Sequence, residues 1–466
     1  MNQTELEKKE LFENTPVAKA LMTLSIPTII SQLIHLIYSL ADTFFVGRTG
    51  NPYMIAGVSL AFNLFILGIP IANLFGLGGG SQIARMMGWG QNEEARTVSS
   101  YCFWMTIAVS VSFSVIVFAF MEPILNFLGA SEQTMPYCRQ YTTLVVVLGT
   151  LPTCLSSVIA HLLRNTGFSK QASMGLSGGG VLNIILDPLC MFVIFPKGME
   201  VFAAAFATLV SNVIACIYLI AVFLRCCSRA PLSLAPSKLR EIKKPHVKQV
   251  YSVGVPSAIL PGLMDVANFV LFGLMSSHGD LQLAAIGIVT KAERLPNAIN
   301  LGISQGMLPL VAYNYASGNR ERMQNVIKTA RRIGLGTAVC CIALYQLLAK
   351  PLCGVFLDTS VAEEAALTLG FAVLFLRIRC LASPMQFMNY YSSYCMQAVG
   401  NGKSTLLHAC VRVLGGYIPF MYIGNAVFGQ IGLVSAFPIG ETFGAIVAAI
   451  IVSRLFSNTL GEIRDE

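Results

Sequence analysis

Long apolar runs alternate with short polar breaks along almost the whole chain. Each run is at least as long as the roughly 20 residues that a helix needs to cross a bilayer. Cutting at charged or Gly/Pro/Asn-rich positions gives runs near residues 19–47, 53–81, 96–120, 134–162, 168–195 and 200–225. A basic polar stretch from Arg225 to Lys248 follows, and then come runs near 249–277, 282–310, 326–348, 362–398, 404–427 and 430–456. The pattern predicts an all-α polytopic membrane protein with twelve transmembrane helices, split six and six. The expected organisation is an N-terminal segment (1–18), an N-lobe (19–225), a basic linker (226–248), a C-lobe (249–456) and a C-terminal tail (457–466).

The two halves repeat one another. Ser25-Ile26-Pro27 recurs as Gly254-Val255-Pro256, Gly76 and Gly80 as Gly302 and Gly306, Gly90-Gln91-Asn92-Glu93 as Gly318-Asn319-Arg320-Glu321, Pro123 as Pro351, Gly167 and Lys170 as Gly400 and Lys403, and Pro188 as Pro419, always 226 to 233 residues apart. Six helices return the chain to the side on which it began. The copies are therefore expected to be parallel repeats about an axis along the membrane normal, with a substrate path between them.

Composition narrows the class further. The 466 residues are 55% hydrophobic and 12% charged, against about 25% charged in soluble domains, which excludes a soluble enzyme on one anchor. The net charge of +8 is concentrated in particular connections. If the N-terminus lies inside, the inner connections and termini hold 22 Lys and Arg residues, Arg85 and Arg164 among them, and the outer side holds only Arg48, Arg139, Lys197 and Lys350. That asymmetry is a topology signal and not a nucleic-acid footprint, and it places both termini in the cytoplasm. The opening MNQTELEKKELFENTPVA contains no signal-peptide pattern, so the expected location is the cytoplasmic (inner) membrane. The thirteen cysteines form no C-x-x-C pair or Cys/His cluster and read as reduced, buried small hydrophobes.

Polar side chains at membrane depth are costly, so those inside helices are candidates for function. In the first helix Gln32, His35, Ser39 and Asp42 fall on one face, with Tyr38 beside them and Pro27 before them. In the fifth, Asn183 and Asp187 lie one turn apart and are followed by Pro188, which frees a backbone carbonyl. Thr208 of the sixth adds a hydroxyl. Under the repeat, Asp42 stands opposite Leu271, Asp187 opposite Ile418 and Thr208 opposite Phe437. The acidity is confined to the first half, as expected of a site and not of a shared requirement of the fold. The second half has Asp265, Lys291, Glu293, Arg294, Arg377, Arg379, His408, Arg412 and Glu441. Most of these read as mutually paired or as lying near helix ends, with Asp265 the best candidate to face the cavity. Gln32, His35, Tyr38, Asn63 and Asp265 are the expected substrate contacts, among apolar residues such as Phe62, Phe65, Met388 and Tyr394 that make an adaptable pocket. Gly402-Lys403-Ser404 is not a P-loop, because Gln397 occupies the place of its first glycine.

Asp42-Thr43-Phe44-Phe45-Val46-Gly47-Arg48 resembles the D-x-x-x-V-G-R stretch of the multidrug and toxic compound extrusion (MATE) family, and Leu182-Asn183-Ile184-Ile185-Leu186-Asp187-Pro188 resembles its L-N-x-x-L-D-P. Gly287-Ile288, Gln305-Gly306-Met307-Leu308-Pro309 and Gln397-Ala398-Val399-Gly400 match further motifs, and the resemblance runs from about residue 15 to residue 456. It implies two six-helix lobes around a V-shaped cavity, and antiport of H+ or Na+ against lipophilic cationic drugs or toxins, without a cofactor. In the DinF-like branch the coupling site lies in the first lobe; the matching residues are Asp42, Asn183, Asp187 and Thr208, which also form the possible Na+ site. Other branches pair acids in the seventh and tenth helices, and here the tenth offers Asn389 and Gln397 but no carboxylate.

Three functions follow as expectations. The first is a monomeric secondary multidrug efflux antiporter working by rocker-switch alternating access in the lipid bilayer. The second is a lipid-linked precursor flippase of the same superfamily, for which Arg377, Arg379 and Arg412 would supply cations. The third is an integral-membrane transferase, which the scattered histidines 35, 161, 246, 278 and 408 do not favour.

Overall fold

The computed structural model describes residues 10–356 and 362–461. The outer parts of the expected terminal segments, with Lys8, Lys9 and Arg464, lie outside the described residues. Twelve spans are present: α1 (Val17–Gly47), α2 (Pro52–Gly88), α3 (Asn92–Ala119), α4 (Met135–Leu148 with Thr150–Asn165), α5 (Ser169–Ile194), α6 (Glu200–Cys226), α7 (Lys244–Ser276), α8 (Asp280–Ala292 with Arg294–Ala316), α9 (Arg320–Gly354), α10 (Glu363–Ala398), α11 (402–428) and α12 (430–461). Asn51, Asn319 and Asn401 each accept a backbone N–H at the start of a helix, relieving donors that the first turn leaves unpaired.

Several spans depart from the uniform helices that the apolar runs predict, α4 and α8 among them. In α4 the two pieces meet at a 40° bend after a π-helical turn, Thr142–Leu148. In α8 the chain breaks between Ala292 and Arg294, where the polar Lys291, Glu293 and Arg294 interrupt the predicted run. Long helices are bridged at Gly429, whose φ of +57 and ψ of −140 separate α11 from α12. All thirteen cysteines are free, and nine are buried.

The repeat is visible in the backbone. Gly50 and Gly279, Gly90 and Gly318, Gly167 and Gly400, and Gly198 and Gly429 all have positive φ and pair at separations of 228 to 233 residues. Glycines with positive φ thus follow equivalent spans in both lobes.

The lobes meet through α1 with α8, and α2 with α7 and α8. Close backbone approach is concentrated toward the face that carries the first and last described residues and the linker. A Cβ on Gly306 would lie 2.7 Å from Ser25 Cα, and one on Gly302 would lie 2.9 Å from Ile29 Cα. Toward the opposite face His35 of α1 and Asp265 of α7 are exposed, and the lobes diverge into a V. Arg85 and Arg164, expected among the loop charges, are instead buried inside helices at 2% and 6% exposure.

Candidate functional site

The polar cluster of the N-lobe is positioned by glycines. On α5, a Cβ at Gly179 would come within 2.8 Å of Ala215 on α6, and one at Gly180 within 3.1 Å of Ile34 on α1. Small residues let three backbones converge. One turn beyond Gly179, Asn183 is delivered to α6, where its Nδ2 donates to Thr208 Oγ1 at 3.2 Å and to Asp187 Oδ1 at 3.2 Å. Pro188 cannot donate to the carbonyl of Ile184, and the helix passes directly into a π-helical turn, Cys190–Ile194.

Asp42 completes the group from α1, near enough to Asp187 for the two charges to interact. Asp42, Asn183, Asp187 and Thr208 are all buried. Tyr38 lies beside Thr208 and within electrostatic reach of both acids, as does Tyr141 of α4. Beneath them is an apolar cluster that includes Val46, Tyr141, Cys190 and Val201. Sequence reasoning passed over Tyr141, whose signal is the hydroxyl-rich Tyr141-Thr142-Thr143 at the head of an apolar run.

Acceptors outnumber donors in this pocket. Asp42 Oδ1, Asn183 Oδ1 and Asp187 Oδ2 are buried without a hydrogen-bond partner among the described residues. Buried oxygens are almost always satisfied, and a surplus of acceptors is satisfied by adding a proton or a cation. Among the described residues no group of three or more His, Cys, Asp or Glu could hold a metal ion. Two carboxylates with amide and hydroxyl oxygens make a set of hard oxygen acceptors.

The other candidates are distributed around the cleft. His35 is exposed and packs edge-on against Tyr38 at 5.7 Å. Arg294, at the break in α8, lies within electrostatic reach of both His35 and the exposed Asp265, so it belongs to the cleft lining. Gln32 is half-buried on the same helix as His35. Asn63 is exposed on α2.

The charges of the C-lobe are arranged differently. Arg379 clasps Glu293 with two bonds of 2.7 and 2.8 Å, donates to the Tyr417 hydroxyl at 3.1 Å, and lies 4.1 Å over the Phe437 ring. Arg412 donates to Glu441 Oε1 at 2.6 Å, and Asn389 Nδ2 donates to Glu441 Oε2 at 2.7 Å. His408 Nε2 bonds Asn389 Oδ1 at 3.0 Å, with Ser393 on its other nitrogen at 3.1 Å. An acid does stand against α10, but it is supplied by α12 and already neutralised. Arg377 is exposed.

Residues 27–189 and 256–423 match the protein-family model described as MatE. The multidrug export protein MepA of Staphylococcus saprophyticus is 30% identical over 450 residues, with 96% of each chain covered. The protein of the same name from Staphylococcus aureus strain MRSA252 is 29% identical over 450 residues, again covering 96% of each. A crystal structure of MATE in complex with MaL6 aligns with a TM-score of 0.89 at 23% identity, over 98% of this chain and 100% of that one. An outward-facing multidrug resistance MATE family transporter aligns with a TM-score of 0.88 at 23% identity, over 96% of this chain and 98% of that one. At that identity the structural likeness is one of fold.

Proposed function

Because the chain belongs to the MATE family, whose members are transporters and not enzymes, we propose that it is a multidrug exporter that moves lipophilic organic cations outward in exchange for H+. The observation that carries this reading is the N-lobe pocket, where two interacting carboxylates and an amide leave three buried oxygens without donors. The export of several drugs is in line with the names of the relatives at 30% and 29% identity. The proposed setting is the cytoplasmic membrane with both termini inside, in accord with the Lys/Arg asymmetry. Closure of the lobes at the terminal face then corresponds to an outward-open state. The lobes, 19–225 and 249–456, are the two rocking bodies of a monomer, and the coupling residues Asp42, Asn183, Asp187 and Thr208 are those of a DinF-like site.

Two carboxylates in a low-dielectric pocket do not both ionise cheaply. In the proposed cycle a proton from the outside settles on the pair. Protonated Asp42 turns from acceptor to donor and bonds Asn183 Oδ1 or the carbonyl of Ile184. The outer half of α1 is thereby drawn toward α5, bending at Pro27 into the space of the drug, so that proton and drug compete. Gln32, His35, Tyr38, Asn63 and Asp265 are the proposed drug contacts. Of the cations that a flippase for a lipid pyrophosphate would use, Arg379 and Arg412 are committed to Glu293 and Glu441, and Arg294 of the cleft lining stands within reach of Asp265. The three unpartnered oxygens also suit Na+, which makes that ion the second reading.

Efflux of a fluorescent lipophilic cation from proteoliposomes, with pH and Na+ gradients imposed separately, tests the proposal. Efflux driven by the pH gradient alone is expected. Efflux that needs the Na+ gradient would assign the site to that ion, and movement of neither cation under either gradient would reject the exporter reading.

A further inference from the structure

At the terminal face the lobes touch through two junctions that are equivalent in the repeat and built differently. In the first, Arg85 of α2 enters the C-terminal turn of α10. Its Nη1 donates to the carbonyls of Gln397 at 3.2 Å and Ala398 at 3.0 Å and to the Ser81 hydroxyl at 2.7 Å, and that hydroxyl donates to Gln397 O. The guanidinium lies against Gly400, where a Cβ would stand 3.0 Å from Cζ. A cation here meets the negative end of a helix.

In the second junction the repeat puts Tyr313 of α8 in the place of Arg85, and Gly167 after α4 in the place of Gly400. Tyr313 brings no charge, and the space is filled by Phe12 from the segment ahead of α1. Phe12 is 1% exposed, stacks on Tyr313 with ring centroids 4.9 Å apart, and comes within 3.4 Å of where a Gly167 Cβ would be. The turn that carries it is held by the C-lobe. Arg322 donates to the carbonyls of Phe12 and Thr15, each at 2.6 Å, and of Leu11 at 3.2 Å. Asn314 Nδ2 donates to Phe12 O at 3.2 Å, and the Tyr313 hydroxyl donates to Glu13 Oε1 at 2.7 Å.

We propose that residues 10–15 are a removable wedge that completes the cytoplasmic gate: Phe12, locked by Arg322, holds the outward-open state shut at its base and must leave Tyr313 and Arg322 before the lobes part there. This rests on the transport reading above. The wedge is continuous with the N-lobe, yet its polar bonds are to the C-lobe, so parting the lobes breaks all of them together. The Arg85 junction joins two helices, whereas the wedge is a chain segment whose Phe12 belongs to one apolar cluster with Val311 and Tyr313 of α8 and Met323 of α9.

The test reads gate opening without any substrate. A single cysteine replaces Ser25, which is fully buried opposite Gly306, in a background freed of the thirteen native cysteines. An impermeant maleimide is applied to inside-out vesicles. Phe12→Ala, which loses the buried ring, and Arg322→Ala, which loses the charge-assisted hydrogen bonds, are each expected to label on the order of tenfold faster than the parent. Arg322→Lys keeps the charge but not the fork to three carbonyls, and is expected to fall between, a graded response that misfolding does not produce. Size-exclusion profiles check that each variant is folded, and Arg85→Ala serves as the benchmark for a broken gate. Labelling of Phe12→Ala and Arg322→Ala at the parental rate, with Arg85→Ala accelerated, would overturn the proposal. Should cation efflux fail in every version, the transport reading falls while the labelling still decides whether the wedge holds the lobes together.

Discussion

In the N-lobe Asp42, Asp187 and Thr208 meet in a buried pocket; at the repeat-equivalent positions of the C-lobe stand Leu271, Ile418 and Phe437. Leu271 is fully buried core, and Phe437 lies under the Arg379 guanidinium. The fold therefore needs no oxygen at these places. The C-lobe is not poorer in buried charge, since Arg379, Arg412 and Glu441 are each at most 2% exposed. What differs is completion. Glu293 and Glu441 have arginine partners, whereas Asp187 accepts from the amide of Asn183 and each N-lobe acid keeps an oxygen unpartnered among the described residues. A paired buried charge is fixed in place, because losing one partner strands the other. An unpaired acid can take up and release a proton, which is what coupling requires.

This contrast can be broken from either side. The largest effect is expected in the N-lobe, where Asp42→Asn and Asp187→Asn should each abolish gradient-driven efflux while the protein remains folded and inserted, as checked by size-exclusion and proteoliposome assays. Normal transport by both would remove the N-lobe from the mechanism. In the C-lobe, Arg412→Met should leave Glu441 stranded and destabilise by about 3–5 kcal/mol, read as a lower unfolding midpoint, with ion dependence unchanged in the folded fraction. The double replacement Arg412→Met with Glu441→Leu should recover most of that stability, because an apolar pair of similar volume is often neutral. The smallest effect belongs to the cleft, where Asp265→Asn should reduce efflux only partly, since Arg294 already stands within reach of Asp265.

Much of this arrangement was legible in the apolar runs and helical periodicity. Twelve runs became twelve spans, and residues three and four apart on α1 and α5 mark the faces that carry Asp42, Asn183 and Asp187. The features that escaped depend on partners far along the chain. The run at 282–310 shows Lys291, Glu293 and Arg294 as polar, but that Glu293 is held by Arg379, 86 residues away, follows only from packing. Arg85 and Arg164 read as loop charges, since their partners include carbonyls of Gln397 and Ala398 and the hydroxyl of Ser31 on other helices. Asn389 is recognisable as polar, but that Glu441 of α12 sits against it follows only from packing.

Proton release on drug binding tests the central claim most directly. Purified protein in weakly buffered detergent solution, titrated with tetraphenylphosphonium and followed with a pH indicator, is expected to release protons. The release should vanish in Asp42→Asn with Asp187→Asn and persist in Arg412→Met with Glu441→Leu. Release that survives loss of both N-lobe acids, or that disappears with the C-lobe pair alone, would place the coupling group outside the N-lobe pocket.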